Sequence, residues 1–419
     1  MGYPQAGRNA LCPDLYSIRG QAQVGPIHST ETTAMRYTTR PRALLLLAIC
    51  FAPIACDAQT RRPGQDRQPT IPPPTILEYR PQSTLVVPEH EVPRARFPLV
   101  DIHGHPPTLD NREAIDRVVT EMDRLNIGVM VQARPSSGQR LRAQIEAVRE
   151  AGYEDRFVFF ASLDLQNVGP GSGSRIAAQL EEDVAAGAVG IGEISKAFGL
   201  YHTKADGSRL QMDDPELDIV WETAGRLGIP VFVHTADPPE FFEPLDYTNE
   251  RWLELALFEN RRFMDRERFP SFDDLMEERN RMLMKHPNTT WILAHMGWHT
   301  ADLARLGEIF DAHPNVLAEV GAVLYDLGRQ PRFAGEFFAK YQERILFGKD
   351  SFQPDEYPYF FRVFETADEY FDYYRDYHAF WKLYGMDLPD EVLRALYYEN
   401  AYRIIPGLPT AALPTGQPE

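Results

Sequence analysis

The chain has 419 residues, of which 43% are hydrophobic and 25% charged, and its formal net charge is −18 at pH 7. That profile is globular, supplies ample apolar material for a large core, and excludes nucleic acid or an anionic membrane surface as the partner, since either would repel it. A small organic molecule is the expected partner, and a homo-oligomer stays open.

The only cysteines, Cys12, Cys50 and Cys56, fall at the N-terminal end. The rest of the chain therefore has no disulfide framework and no thiolate metal site, so any metal there must be held by His, Asp and Glu. From Met35, the basic residues Arg36, Arg40 and Arg42 precede the apolar run Ala43 to Ala55, the layout of a secretory signal with cleavage expected after Ala58. That run is shorter than the roughly 20 residues that span a bilayer, so no membrane span is expected. Cys56 after Ile54-Ala55 is placed as in a lipoprotein signal, although Pro53 stands where leucine is usual, which leaves a lipid anchor at Cys56 as the alternative. Residues 1–34 then read as an extension ahead of a true start at Met35, 35–58 as the signal of a periplasmic or secreted protein, and 59–96, rich in Pro, Arg, Gln and Thr, as an extended tether. Its last charged pieces, Glu89-His90-Glu91 and Arg94-Ala95-Arg96, read as a solvated lead-in.

A body over residues 97–407, followed by a tail over 408–419, alternates apolar strand-like runs with helical periodicity. The runs are Leu99 to His103, Ile127 to Gln132, Phe157 to Leu163, Val189 to Ile194, Pro230 to His234, Thr290 to His295, Asn315 to Val320 and Ile345 to Asp350. Helices are predicted over 111–125, 138–151, 174–187, 215–228, 301–312 and 332–343, each long enough to return the chain for a parallel neighbour. A (β/α)₈ TIM barrel is the expected α/β fold, because closure leaves no parallel edge exposed. An open doubly wound sheet is the alternative, and no Gly-rich dinucleotide loop follows the first strand to support it. The connection from Asp237 to Asn288 is far longer than usual and carries Phe241, Phe242, Tyr247, Trp252, Phe258 and Phe263, so it is either a lid or pocket wall, or a packed helical insertion between strands 5 and 6. The aromatics of residues 357–384 read as packing.

Polar chemistry gathers at one end of these runs. Asp101, His103 and His105 follow the period of two in Asp-x-His-x-His, Glu193 lies near the end of the fourth run, and His234, His295 and Asp350 end the fifth, sixth and eighth. In a barrel all of these open on the same face, where neutral imidazoles and carboxylates suit a divalent ion such as zinc.

At these motifs the chain resembles the metal-dependent amidohydrolase superfamily, in a branch that includes aminocarboxymuconate semialdehyde decarboxylase. The resemblance rests on Asp101-Ile-His-Gly-His105, Val233-His234, Leu293-Ala-His-Met-Gly297 and Leu346-Phe-Gly-Lys-Asp350, and extends to Glu399-Asn-Ala-Tyr-Arg-Ile404. It implies that His103, His105, His234 and Asp350 hold one divalent ion, most often zinc, which would lower the pKa of a bound water to about 7. Asp350 would also accept that water's proton, and His295 would stabilise the developing oxyanion or protonate the leaving group. Relatives with two metals bridge them from the fourth strand, so Glu193 is the candidate bridge for a second ion; the alternative is that it orients an imidazole or pairs with Lys196. Lys349 stands where relatives carry Ser or Thr, and is expected to point away from Asp350. Arg134, His202 and His299 lie in loops after strands and are candidate substrate contacts, Arg134 for a carboxylate. Asp101 is expected to support the site through hydrogen bonds, and His286, His313 and His378 to be structural or solvated. The implied activity is hydrolysis of a C–N or C–O bond in a small molecule. The alternatives are non-oxidative decarboxylation of a small aromatic or unsaturated acid, and an exported metal-containing binding protein without turnover.

Overall fold

In a computed structural model, which describes residues 68–378 and 381–410, the eight expected strands form one parallel sheet in sequential order. They are β1 (Leu99–Asp101), β2 (Ile127–Gln132), β3 (Phe157–Ala161), β4 (Ala188–Ile194), β5 (Val231–Val233), β6 (Trp291–Leu293), β7 (Val316–Glu319) and β8 (Ile345–Leu346). Every residue of β1, β3, β5, β6, β7 and β8 is buried, which explains why their sequences are continuous apolar runs. The sheet curls until its edges touch: just past β1 and β8, the Ile102 N–H donates to the Phe347 carbonyl at 3.1 Å.

Helices Arg112–Leu125, Gly138–Glu150, Ser172–Ala185, Asp218–Leu227, Leu303–Ala312 and Pro331–Lys340 return the chain between strands, close to the expected spans. The first shows why these boundaries were legible. Asn111 caps its N-terminus by accepting from the Ala114 N–H at 2.9 Å, and Asn126 ends it in the left-handed conformation at φ 66°. Between them Ile115, Val118, Val119, Met122 and Leu125 turn one stripe to the sheet. Among the described residues, no helix is long and apolar enough to cross a membrane.

Three features depart from or refine the sequence reading. The supposedly solvated lead-in is partly docked. The His90 N–H donates to Asp368 at 2.8 Å, the Arg96 N–H donates to Glu365 at 3.0 Å, and Ala95 is buried, so backbone donors of the lead-in add to the partners these two acids already have in Arg362 and Tyr397. The long connection between β5 and β6 is a packed insertion that also forms a cavity wall. It contains helices Trp252–Leu257 and Phe272–Lys285, the latter closed at its start by a capping box from Ser271 and Asp274. The aromatic segment after β8 divides into helix Tyr357–Glu365 and a short hairpin, β9 (Phe371–Asp372) with β10 (Lys382–Leu383). The proposed extension, the signal and the start of the tether over 59–67, with all three cysteines, lie outside the described residues, as does most of the tail.

Candidate metal centre

The C-terminal ends of the strands bring the expected donors together. His103 is fully buried, and its Nε2 stands 3.3 Å from Glu193 Oε2 and 3.7 Å from Asp350 Oδ1. His105 Nε2 lies 2.9 Å from the same Glu193 oxygen. Ligands placed tetrahedrally about 2.0 Å from a zinc ion are about 3.3 Å from one another, so these spacings are those of donors converging on one cation. His103, His105 and Asp350 form one such group, and His103, Glu193 and His295 form a second. Among the described residues, His103 Nε2 is buried without a hydrogen-bond partner, an arrangement that a cation would complete.

Glu193 holds the middle of the site because β4 is irregular there. The β4–β5 register shifts between Ile191 and Ile194, and such a bulge re-aims a side chain that regular pleating would place elsewhere. Gly192 makes this possible: its φ is +117°, and a Cβ on it would sit 2.3 Å from the Phe232 carbonyl oxygen. Glu193 then faces His103 and His105 with one oxygen, and His234 Nδ1 at 2.6 Å with the other. His234 therefore lies across Glu193 from the His-x-His pair, 3.3 Å from His295 Nε2. Lys196 does not pair with Glu193; it pairs with Asp237 at 2.5 Å.

Glu319, at the end of β7, went unnoticed in the sequence. It is fully buried and gathers three N–H donors: His103 Nδ1 at 3.1 Å, the His295 backbone at 2.7 Å and the Gly321 backbone at 2.5 Å. The first of these leaves the Nε2 lone pair of His103 turned to the site. The packing is tight enough that a Cβ on Gly348 would meet Glu319 Oε2 at 2.3 Å. Its signal was its position, an acid closing an apolar strand like the other site residues. Asp101 supports the site as expected, accepting from the His103 N–H at 2.9 Å and from the Tyr357 hydroxyl at 2.6 Å.

His295 opens a run of four residues in the left-handed region, with φ of 56°, 53°, 60° and 56° through Trp298. Each non-glycine residue there costs about 1–2 kcal/mol, so the turn needs external support. That support comes from Glu319 on the His295 N–H, from Arg279 Nη1 donating to the Gly297 carbonyl at 3.1 Å, and from Trp298 Nε1 donating to the Ala236 carbonyl at 3.2 Å. The turn aims His295 Nδ1 at the Gly321 carbonyl, 2.8 Å away. A carbonyl only accepts, so Nδ1 carries the proton and Nε2 presents a lone pair to the site.

Electrostatics follow this geometry. Burial opposes charge on His103, but Glu319 and Glu193 overcome it and push its pKa well above the ordinary value. Burial also opposes charge on Glu193, yet His103, His105 and His234 hold its carboxyl well below the usual range. His234 is raised to about 9 despite burial by Asp237 and Glu193, whereas burial and the charge of His234 hold His295 down at about 4. Asp350 is kept below the usual carboxylate range, against burial, by His103 and His295.

The candidate substrate contacts fare differently. Arg134 is committed to the loop after β1, donating from Nε to the Pro106 carbonyl at 2.6 Å and from Nη2 to the His105 carbonyl at 3.1 Å, so it braces the His-x-His loop, and it is not among the residues that line the cavity beside the donors. His202 does not line the cavity beside the donors. His299 accepts from Arg279 Nη2 at 3.1 Å and lines a separate cavity of about 540 Å³ with Phe242 and Phe272. Lys349 points away from Asp350, as expected, and pairs with Glu356. The cavity that does open beside the site is about 190 Å³, and is walled by Phe241, Arg251, Trp298, Tyr325, Arg375 and Tyr377.

Comparison with known proteins places this geometry in context. The amidohydrolase family model matches residues 100–407. Three similar solved structures are an uncharacterized TIM-barrel protein from Bordetella bronchiseptica, a putative amidohydrolase from Staphylococcus aureus and an amidohydrolase from Burkholderia multivorans with bound zinc. The first is 16% identical over 75% of this chain and 99% of its own, with a TM-score of 0.46. The second is 16% identical over 73% and 99%, with a TM-score of 0.44, and the third 14% identical over 75% and 99%, with a TM-score of 0.39. No curated protein matches the chain.

Proposed function

Because the chain belongs to the amidohydrolase family, in which an enzyme's chemistry sits at the barrel mouth, we propose that it hydrolyses a C–N or C–O bond of a small molecule with a divalent ion, zinc by preference, held by His103, His105, Glu193 and Asp350. The observation that carries this reading is the clustering of these donors: the buried His103 Nε2, without a hydrogen-bond partner among the described residues, stands 3.3 Å from Glu193 and 3.7 Å from Asp350, and His105 Nε2 lies 2.9 Å from the same Glu193 oxygen. Glu193 takes the place that the resemblance assigned to His234, since its carboxylate lies between His234 and the His-x-His pair. The second donor group, His103, Glu193 and His295, favours a second ion bridged by Glu193, with His234 beside it.

The bound ion supplies a Lewis acid that acidifies water and polarises the scissile carbonyl. The chain's own groups do the rest. Asp350, held ionised, accepts the proton of the attacking water on its carboxylate. His295 rests neutral with Nδ1–H committed to Gly321, so it cannot donate from Nε2 at the outset. With one ion bound, Nε2 takes up the water proton held by Asp350, which lines the same cavity, and passes it to the leaving group, the expected acid role displaced by one step; with a second ion on His295, Asp350 returns that proton itself. Trp298, stacked on His295 at 4.5 Å between ring centroids, walls off bulk water on that side.

Elemental analysis of protein purified without chelator, with an amide, ester and lactone panel, tests this. Less than one equivalent of metal after Zn²⁺ or Mn²⁺ addition overturns it, and a plateau at two equivalents selects the bridged version. Carbon dioxide release from carboxylic acids in the same panel, without hydrolysis, selects the decarboxylase instead. Metal without turnover selects a binding protein. Export, proposed from the Met35 to Ala58 signal pattern, is tested by the N-terminus of the mature protein.

A further inference from the structure

Four cations line the small cavity at the metal centre: Lys196, Arg251, Arg261 and Arg375. Three are already committed. Lys196 is paired with Asp237 at 2.5 Å. Arg251 donates to Glu254 at 2.8 Å and to the Tyr325 hydroxyl, and Arg261 is paired with the same Glu254. Arg375 differs. Among the described residues it has no ion-pair partner and no hydrogen-bond acceptor for its guanidinium, and its contact is the Tyr374 ring, 5.6 Å from centroid to Cζ. It is half-buried, on the loop after β9, and the three acids that share its cavity are engaged elsewhere, Asp237 with Lys196, Glu254 with Arg251 and Arg261, and Asp350 with His103.

A half-buried guanidinium without a counter-ion is costly unless something supplies one. A carboxylate does so best, because the planar fork of arginine matches its two oxygens. A doubly charged phosphate fits less well, since Asp237, Glu254 and Asp350 face the same space and would repel it. A cavity of about 190 Å³ also restricts the ligand to a few carbons beyond the reacting group.

We propose that the substrate of this enzyme is a small carboxylic acid whose carboxylate is held by Arg375 while its scissile group lies at the metal centre. The role sought in Arg134 thus falls to a residue on the hairpin after β8. This inference rests on the metal-hydrolase reading above, and deepens it by naming the substrate class.

The test uses hydroxamates, which bind a catalytic metal, on the zinc-loaded full-length protein by calorimetry. The monohydroxamates of succinic, glutaric and adipic acid are compared with neutral counterparts in which the distal carboxylate is the primary amide. At the best chain length the acid should bind at least about tenfold more tightly than its amide. Arg375→Met should abolish that preference while leaving the affinity of the neutral hydroxamate and the metal content unchanged, and Arg375→Lys should restore part of it. Equal affinity of acid and amide in the wild-type protein at all three lengths overturns the role of Arg375, and this comparison stands even if the variants do not fold. A preference that survives in Arg375→Met also overturns it. If neither hydroxamate binds, the metal-centre reading itself fails, and this one with it.

Discussion

Replacing Glu319 with Gln preserves shape and volume while changing what the site can accept. The carboxylate serves three N–H donors, with Oε1 facing His103 Nδ1 and the His295 backbone and Oε2 facing the Gly321 backbone. An amide has one acceptor oxygen, and its NH₂ only donates. If the NH₂ replaces Oε2 it meets the Gly321 N–H; if it replaces Oε1 it meets two donors. At least one buried donor is stranded either way, at a cost of about 1–3 kcal/mol in stability. In the second orientation His103 escapes only by taking its proton on Nε2, which removes the lone pair that would bind metal. Loss of such a supporting partner weakens metal binding by about 10–100-fold, or about 1.4–2.7 kcal/mol. Competition with a chromophoric chelator at neutral pH, on protein whose fold is checked by circular dichroism, measures this. A folded Glu319→Gln variant that holds zinc within twofold of wild type would refute the assignment of Glu319 as the group that orients His103.

Gly192→Ala should destabilise the protein by at least about 2 kcal/mol in denaturant titrations and lower metal affinity as well, because a Cβ collides with the Phe232 carbonyl and the +117° backbone disfavours any side chain. Removing the metal by chelation should lower the melting temperature, and adding free zinc at about 100 times its Kd should recover about 2.7 kcal/mol; no change in melting on chelation would count against a metal-completed site. Stability should also fall on acidification through His378, which is buried against Glu254 and Arg251. Burial, against the pull of Glu254, holds its pKa at about 4. Its unfolded value is about 6.5, so the unfolded chain takes up the proton first and the native state loses stability as pH drops from about 6.5 toward 4. Between pH 7 and 5 that amounts to at most about 2 kcal/mol, and His378→Gln should lose correspondingly less over the same interval, in urea titrations at the two pH values.

The sequence by itself determined the strand and helix order, the barrel, and the approach of His103, His105, Glu193, His234, His295 and Asp350 to one face. Those depend on local periodicity and on the rule that parallel strands share a direction, so each strand end is on the same side. It could not rank these residues. Glu193 is central, and His234 lies beyond it, because a bulge around Gly192 turns β4, and a bulge leaves no periodic trace. It also missed Glu319, and it did not show that Arg134 is held by the loop after β1 while Arg375 lines the cavity. The chemistry of an acid or a guanidinium is the same wherever it stands. Whether it braces a loop carbonyl, as Arg134 does, or faces a cavity without a partner among the described residues, as Arg375 does, depends on residues from other strands and loops, and only the closed tertiary structure brings those together.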